Sequence, residues 1–299
     1  MPDGVMQPGP VGFIGLGAMG GPMTARLRAA GYEVRGYDIS EAARRAFGKG
    51  ATATLREAAD GTPAVVLMLP DSAVIRQVAF DDGLLDAMAP GSLLVDMSSS
   101  EPSGTAELAA AAAARGVDVV GAPVSGGVAG AVGGTLTIMA GGSADAVARA
   151  RPVLEAIGSR VLHVGEGPGA GHALKSLNNL LAATTLLATS EAILAGQRYG
   201  LDPRVMLDAI NTSSGRSAAS QSKWPDYVLP GRDTGFALRL MVKDVAIALG
   251  VVRETGAAAP LAEETLALWQ RAAAELPPGA DQVAIVDWLR DGEAEGRPR

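Results

Sequence analysis

Short apolar runs alternate with helically spaced segments through the first half of the chain. Residues 11–14, 34–37, 65–69, 93–95, 117–120 and 136–139 read as strands, rich in β-branched and apolar side chains. Residues 22–30, 41–47, 72–79 and 103–115 read as helices between them, and 151–157 with 161–164 as a last helix and strand. The run Val65-Val66-Leu67-Met68-Leu69 has no polar position at all. Such a run suits a central strand of a parallel sheet covered on both faces. Strand–helix alternation of this kind predicts a doubly wound α/β domain.

After Gly169 the rhythm changes and no strand pattern follows. Residues 171–199 read as one helix of roughly 40 Å at 1.5 Å per residue. Gly200 and Pro203 supply the stop. Further helices are expected over 203–210, 236–254, 260–274 and 281–289, a turn at Pro277-Pro278-Gly279, and fraying after Asp291. The chain therefore divides into an α/β domain over 1–168 and an all-α domain over 169–299, joined by the long helix.

Composition narrows the function. The 299 residues suit two domains, and 48% hydrophobic residues permit a sizeable core. Aromatics are only 4%, so small side chains must carry much of the packing. A net charge of −7 argues against nucleic acid or an anionic membrane as partner. The absence of cysteine excludes disulfides, thiolate metal sites and thiol catalysis, and His163 and His172 form no metal-ligand pattern with nearby carboxylates. Residues 1–10 lack the charge and apolar core of a signal peptide. The apolar stretch 180–195 is interrupted by Thr184, Thr185, Thr189, Ser190 and Glu191, so no membrane span is expected and the protein reads as soluble and cytoplasmic.

The strongest chemical motif follows the first strand. Gly15-Leu16-Gly17-Ala18-Met19-Gly20 is a G-x-G-x-x-G turn opening a helix. Gly15 permits the tight turn, Gly17 lets a pyrophosphate approach the backbone, and Gly20 allows close helix–strand packing. The anion would sit on the helix N-terminus with Ala18 and Met19. Asp38, at the end of the second strand, stands where a carboxylate bonds the adenosine ribose hydroxyls of NAD and repels the extra phosphate of NADP. Asp38 as a plain cap or turn residue is the alternative. Arg35 and Arg44 are near in sequence, so NADP is kept as the second cofactor. The domain is thus expected to be Rossmann-type. Two further segments lie at the carboxyl ends of strands, where ligands bind in open α/β sheets. They are Leu69-Pro70 and Ser98-Ser99, whose hydroxyls could serve the cofactor or substrate or simply cap the next helix.

Lys175 is the only charged side chain between Gly167 and Ser190. An ammonium in such apolar company is costly unless paired or neutralised, which makes it a candidate proton-transfer group. The plainer alternative is a lysine snorkelling from a helix end. Helical spacing puts Asn178 and Asn179 on its face. Upstream, Ser125-Gly126-Gly127 opens a glycine-dense stretch whose backbone N–H groups could form an anion nest for a small carboxylate, or else a surface loop.

Taken together, the blocks Gly12–Gly20 with Asp38, Asp96–Pro102, Ala122–Gly134, Gly171–Asn179 and Met241-Val242-Lys243-Asp244 resemble the β-hydroxyacid dehydrogenase family, from about Val11 to Trp288. This is the group of 3-hydroxyisobutyrate dehydrogenase, tartronate semialdehyde reductase and succinic semialdehyde reductases. The resemblance implies that Lys175 is the catalytic general acid/base and that Asn179 orients substrate beside it. It implies that Ser125, Gly126 and Gly127 grip the substrate carboxylate and that Ser99 lies near the nicotinamide. Phe236 and Asp244 match positions that close over the site, and Lys243 a lysine near cofactor and substrate. The run Ser98-Ser99-Ser100-Glu101-Pro102 departs from the Ser-Thr-x-x-Pro of many members. Asp38 resembles NAD-preferring members, and Asn211–Arg216 is closest to the 3-hydroxyisobutyrate branch.

The implied reaction is hydride transfer between NAD and a short 3-hydroxy acid, in a cleft between the domains of a homodimer or homotetramer. A semialdehyde-type reductase of the same family and a non-catalytic NAD-binding scaffold are the alternatives. An imine reductase usually carries another residue in place of Lys175. A decarboxylating phosphogluconate-type enzyme would need a histidine that Leu177-Asn178-Asn179 lacks.

Overall fold

A computed structural model describes residues 9–294. The reading of residues 1–10 is therefore largely outside the described residues, as is any fraying beyond Ala294. The chain divides into two compact units, one ending at Lys175 and one beginning at Ser176. The expected boundary lay at 168/169, so the first turn of the long helix belongs with the α/β unit.

The strands of the first unit are β1 (Val11–Ile14), β2 (Val34–Tyr37), β3 (Ala64–Leu67), β4 (Leu93–Asp96), β5 (Asp118–Gly121), β6 (Val124–Ser125), β7 (Thr137–Gly141) and β8 (Arg160–Gly165). Its helices are α1 (Gly20–Ala29), α2 (Glu41–Phe47), α3 (Leu55–Ala59), α4 (Ser72–Arg76) continued by a π-helical turn over Gln77–Asp81, α5 (Leu84–Ala87), α6 (Pro102–Ala113), α7 (Gly127–Gly133) and α8 (Ala144–Ile157). The sheet order is β2-β1-β3-β4-β5-β7-β6, with β8 beside β7. Strands β1 to β5 are parallel, whereas β7 runs antiparallel to β5 and β6 and parallel to β8.

Alternate residues of each central strand feed separate cores. Val11, Phe13, Val66, Val95 and Val120 fill one face, and Ile14, Val65, Leu67, Leu94 and Val119 the other. This is why the strands read as unbroken apolar runs. Strand order reverses between β1 and β3, so the crevice at their carboxyl ends is the topological switch point where an open α/β sheet binds ligands.

The long helix α9 (Ala170–Tyr199) begins in this unit and continues into the second. There follow α10 (Pro203–Asn211), a π-helical segment over Ala219–Val228, α11 (Leu238–Thr255), α12 (Pro260–Glu275), a 3₁₀ turn over Gln282–Ala284 and α13 (Ile285–Ala294). Ala183, Leu186, Leu187, Ser190, Ile193 and Leu194 form the buried stripe of α9 at helical spacing. Ala183, Leu186, Leu187 and Ile193 pack with Trp224, Met241, Val245, Trp269 and Ile285 into one core, and Ser190 Oγ accepts from Trp224 Nε1. By length and composition α9 could cross a membrane, and this buried stripe accounts for its apolar character.

Candidate active site

The nucleotide end is built by the turn between β1 and α1. Gly15 has φ +99°, and a Cβ there would stand 2.2 Å from the Met68 carbonyl oxygen at the end of β3. A Cβ on Gly20 would lie 1.9 Å from the Gly15 carbonyl oxygen, so the helix can start only with glycine in that place. At Gly17, by contrast, a Cβ would meet no atom within 4 Å. Its exposed backbone therefore borders open space, beside an α1 N-terminus that no side chain caps. A turn held by two steric contacts, open at its middle glycine and leading into a helix start without a side-chain cap, fits a dinucleotide pyrophosphate.

Asp38 continues β2 and is partly buried. Its Oδ2 accepts from the Leu16 N–H at 2.7 Å and its Oδ1 from the Ser40 N–H at 2.8 Å. The carboxylate is thus fixed to the glycine turn before any ligand arrives. Ser40, not Asp38, caps α2. Neither nearby arginine is held ready for a phosphate. Arg44 donates to the carbonyls of Asp38 and Ile39, and Arg35 pairs with Glu33 and the Asp60 carbonyl.

The loops after β3 and β4 are tied together. Ser98 is fully buried, its Oγ accepts from the Leu69 N–H at 2.9 Å, and its own N–H donates to Asp96 Oδ1 at 3.0 Å. It therefore braces the two strand ends, while Ser99 is half-buried and Pro70 exposed. Neither serine caps α6, which starts at Pro102 with Glu101 before it. Farther along the sheet, Ser125 pairs with Thr137 at the end of β6. Gly126 and Gly127 both take left-handed backbone, at φ +134° and +62°, and open α7 where a loop was expected.

The first turn of α9 is wedged against the sheet. A Cβ on Gly171 would meet the carbonyl oxygens of Met139 at 2.1 Å and Gly121 at 2.5 Å. His172 is buried there with Asp96 and Thr105, a grouping that sequence spacing did not disclose. Lys175, one turn on, is half-buried.

In the second unit, Asn179 is buried and its Nδ2 donates to Asp244 Oδ2 at 2.6 Å. Asn178 Nδ2 donates to Asn179 Oδ1 at 3.2 Å, and Lys243 Nζ lies 3.2 Å from Asp244 Oδ1. Asp244 thus fixes the Asn179 amide, a role more specific than closure over a site. Phe236 precedes α11 instead of lying within it; its N–H donates to Asp281 Oδ2 at 3.0 Å. Lys223 is a charged group passed over in the sequence. Its ammonium lies 5.4 Å from the Tyr227 ring centroid, and burial holds it below the ordinary lysine value, partly offset by Asp281.

Residues 10–165 match the family model of the NAD binding domain of 6-phosphogluconate dehydrogenase. Residues 169–289 match that described as NAD-binding of NADP-dependent 3-hydroxyisobutyrate dehydrogenase. The chain is 40% identical over 256 residues to 2-(hydroxymethyl)glutarate dehydrogenase of Eubacterium barkeri, spanning 84% of this chain and 85% of that one. It is 39% identical over 264 residues to 3-hydroxyisobutyrate dehydrogenase of Pseudomonas aeruginosa, spanning 84% and 88%. Among solved structures, 3-hydroxyisobutyrate dehydrogenase of Mycobacterium tuberculosis with L-serine superposes with a TM-score of 0.87 at 34% identity, over 95% of this chain and 100% of that one.

Proposed function

Because the chain belongs to the β-hydroxyacid dehydrogenase family, we propose that it oxidises a short 3-hydroxy acid of the 3-hydroxyisobutyrate type, with Lys175 as general acid/base. At the coarser level the chain is an NAD(P)-dependent oxidoreductase acting on the CH–OH group of a small hydroxy acid.

NAD supplies the hydride acceptor when bound. The protein's own part is orientation and proton transfer. The glycine turn and α1 N-terminus hold the pyrophosphate, and Asp38 the adenosine ribose. Ser125 and the N–H groups of Gly126 and Gly127 hold the substrate carboxylate. Asn179 aligns the reacting oxygen, and Lys175 Nζ takes the hydroxyl proton as the carbon loses hydride. In reduction the ammonium returns that proton to the carbonyl oxygen. Ser99, Lys243 and Phe236 complete the surroundings in this reading. The observation that carries it is the Asp244–Asn179 hydrogen bond, one turn of α9 beyond Lys175. It fixes the facing of an amide on the helix that carries Lys175, which supports this reading.

The test is a turnover panel with NAD and with NADP. It includes 3-hydroxyisobutyrate, L-serine, 2-(hydroxymethyl)glutarate, and tartronate and succinic semialdehydes. Highest kcat/KM for 3-hydroxyisobutyrate with NAD is expected. A semialdehyde reduced much faster than any hydroxy acid is oxidised would move the assignment to the reductase branch.

The Asp38 carboxylate gives a second expected result. Asp38→Ala removes the ribose acceptor and the anchor of the Leu16 N–H together. Losing a charged hydrogen bond of about 1.5–3 kcal/mol weakens NAD binding roughly ten- to a hundredfold. NADP should lose much less, because the same change relieves repulsion of its phosphate. Titration calorimetry with both cofactors reads the difference, and an equal loss for the two would refute the assignment. We also propose a homodimer or homotetramer. Leu181, Tyr199 and Val205 of the helical unit are 66%, 87% and 66% exposed, apolar side chains that a second copy would cover. Light scattering should give at least twice the chain mass, and a monomer at micromolar concentration would exclude this.

A further inference from the structure

A buried polar cluster sits under the start of α9. His172 Nδ1 is 2.9 Å from Thr105 Oγ1, and His172 Nε2 is 3.5 Å from Asp96 Oδ2. The Asp96 carboxylate also accepts from Ser100 Oγ at 2.8 Å and from the Ser98 N–H at 3.0 Å. All five side chains are at most 4% exposed. Thr105 Oγ1 lies 3.2 Å from the Glu101 carbonyl oxygen, the usual back-bond of a helical threonine. A hydroxyl has one proton. Whichever of the two contacts takes that proton, Thr105 Oγ1 and His172 Nδ1 share one hydrogen bond, and a proton on Nε2 suits the carboxylate that this nitrogen faces.

We propose that His172 and Asp96 are a positioning pair that fixes the direction of Lys175. The pair links three elements: β4 and its Ser98–Ser100 loop through Asp96, α6 through Thr105, and the first turn of α9 through His172. His172 and Lys175 are three residues apart, so they rise on neighbouring turns of one helix side, about 4.5 Å apart along the axis. The glycine contacts of Gly171 set how closely the start of the helix approaches the sheet. A side chain held at Nδ1 by Thr105, with Nε2 facing Asp96, fixes the rotation of that turn, and with it the line along which Lys175 projects. This rests on the reading of Lys175 as the proton-transfer group.

Two amide variants separate the two ends of the ring. In His172→Gln the terminal amide reaches the Nε2 position and keeps the Asp96 contact. In His172→Asn it reaches only the Nδ1 position and keeps Thr105. A cavity of about 210 Å³ borders Asp96, Ser100 and Thr105, so water can enter beside the carboxylate when the ring is shortened. The experiment measures kcat and KM for NAD and 3-hydroxyisobutyrate, well below melting, in the Ala, Asn and Gln variants at 172, alone and combined with Lys175→Ala. His172→Ala should lower kcat roughly ten- to a hundredfold, the scale of a misplacement near 1 Å, with KM for NAD within about twofold. His172→Gln should recover most of that loss and His172→Asn little. In the Lys175→Ala background the substitutions at 172 should have no further effect, since the histidine acts through the lysine. If His172→Ala does not fold, the Gln and Asn variants carry the same comparison. Unchanged kcat, equal recovery by Asn and Gln, or the same fold loss with Lys175 already removed would each overturn the pair. Near-normal turnover in Lys175→Ala alone would instead overturn the lysine's role, whatever happens at 172.

Discussion

Lys175→Ala should bind NAD as the parent does and lose turnover by at least roughly a hundredfold, the lower range for acid–base assistance. The two halves of that result separate because the groups concerned are separate. The pyrophosphate turn and Asp38 lie at the carboxyl ends of β1 and β2, and neither uses the α9 side chain. Alanine is the best helix former, so α9 should keep its course. What disappears is the basic nitrogen, on a half-buried helix turn, to which the proposed mechanism gives the hydroxyl proton. Lys175→Arg sharpens the test. It keeps the positive charge, but guanidinium does not give up its proton in the working range. If the lysine acted only by its charge, the arginine variant would retain turnover. If it moves a proton, the arginine variant should be nearly as impaired as the alanine. NADH absorbance measures both variants. Near-normal turnover in the alanine variant would remove Lys175 from the mechanism.

The cofactor half was legible because its chemistry is local. The glycine turn, the strand before it and Asp38 lie within about thirty residues, and β1 and β2 occupy 11–14 and 34–37 as their patterns suggest. The long helix was legible for the opposite reason. Its buried positions recur at helical spacing from Gly171 to Leu194, and it is found at Ala170–Tyr199 against an expected 171–199. Short elements that tertiary contacts impose on unpromising sequence were not legible. Helix α7 is Gly-Val-Ala-Gly-Ala-Val-Gly, poor in helix propensity, and it forms because Gly130 and Ala131 are buried against the sheet unit's core. The π-helical segment 219–228 contains Pro225 and two serines, and no helical pattern marks it in the sequence. Helix α8 carries Pro152 in its interior, so only its second half showed helical spacing. The antiparallel turn of the sheet at β7 was likewise hidden, since apolar alternation does not record strand direction.

The site divides along the same line. Lys175, Asn178 and Asn179 share a helix face, which spacing alone predicts. Their partners come from far away. Asp244 is 65 residues from Asn179, and Thr105 is 67 residues from His172. The resemblance named Asp244 but gave it the task of closing over substrate. The geometry gives it an amide to hold. His172 looked like a lone imidazole without metal partners, because Asp96 reaches it only through sheet and helix packing.

The hold of Asp244 on that amide can be read out directly. Its side chain is 3% exposed and meets both Asn179 Nδ2, at 2.6 Å, and Lys243 Nζ, at 3.2 Å. Asp244→Ala removes the only carboxylate in this trio and leaves a mostly buried ammonium and an amide donor without it. Removing one member of a buried pair costs roughly 3–5 kcal/mol, and the 24% exposure of Lys243 puts this case near 3. The melting transition should fall by about 6–12 °C at roughly 2–4 °C per kcal/mol. Turnover should fall as well, because Asn179 loses the carboxylate that accepts from its amide Nδ2 and defines which way that amide faces. Asp244→Asn separates the two effects. Its oxygen can still accept from Asn179, but its NH₂ then faces the Lys243 ammonium, donor against donor. The melting loss should therefore persist while much of the turnover returns. Equal loss of turnover in both variants would mean that the negative charge matters and the amide's orientation does not. Unchanged melting in Asp244→Ala would mean that Lys243 finds solvent without cost and that the pair contributes nothing to the helical unit.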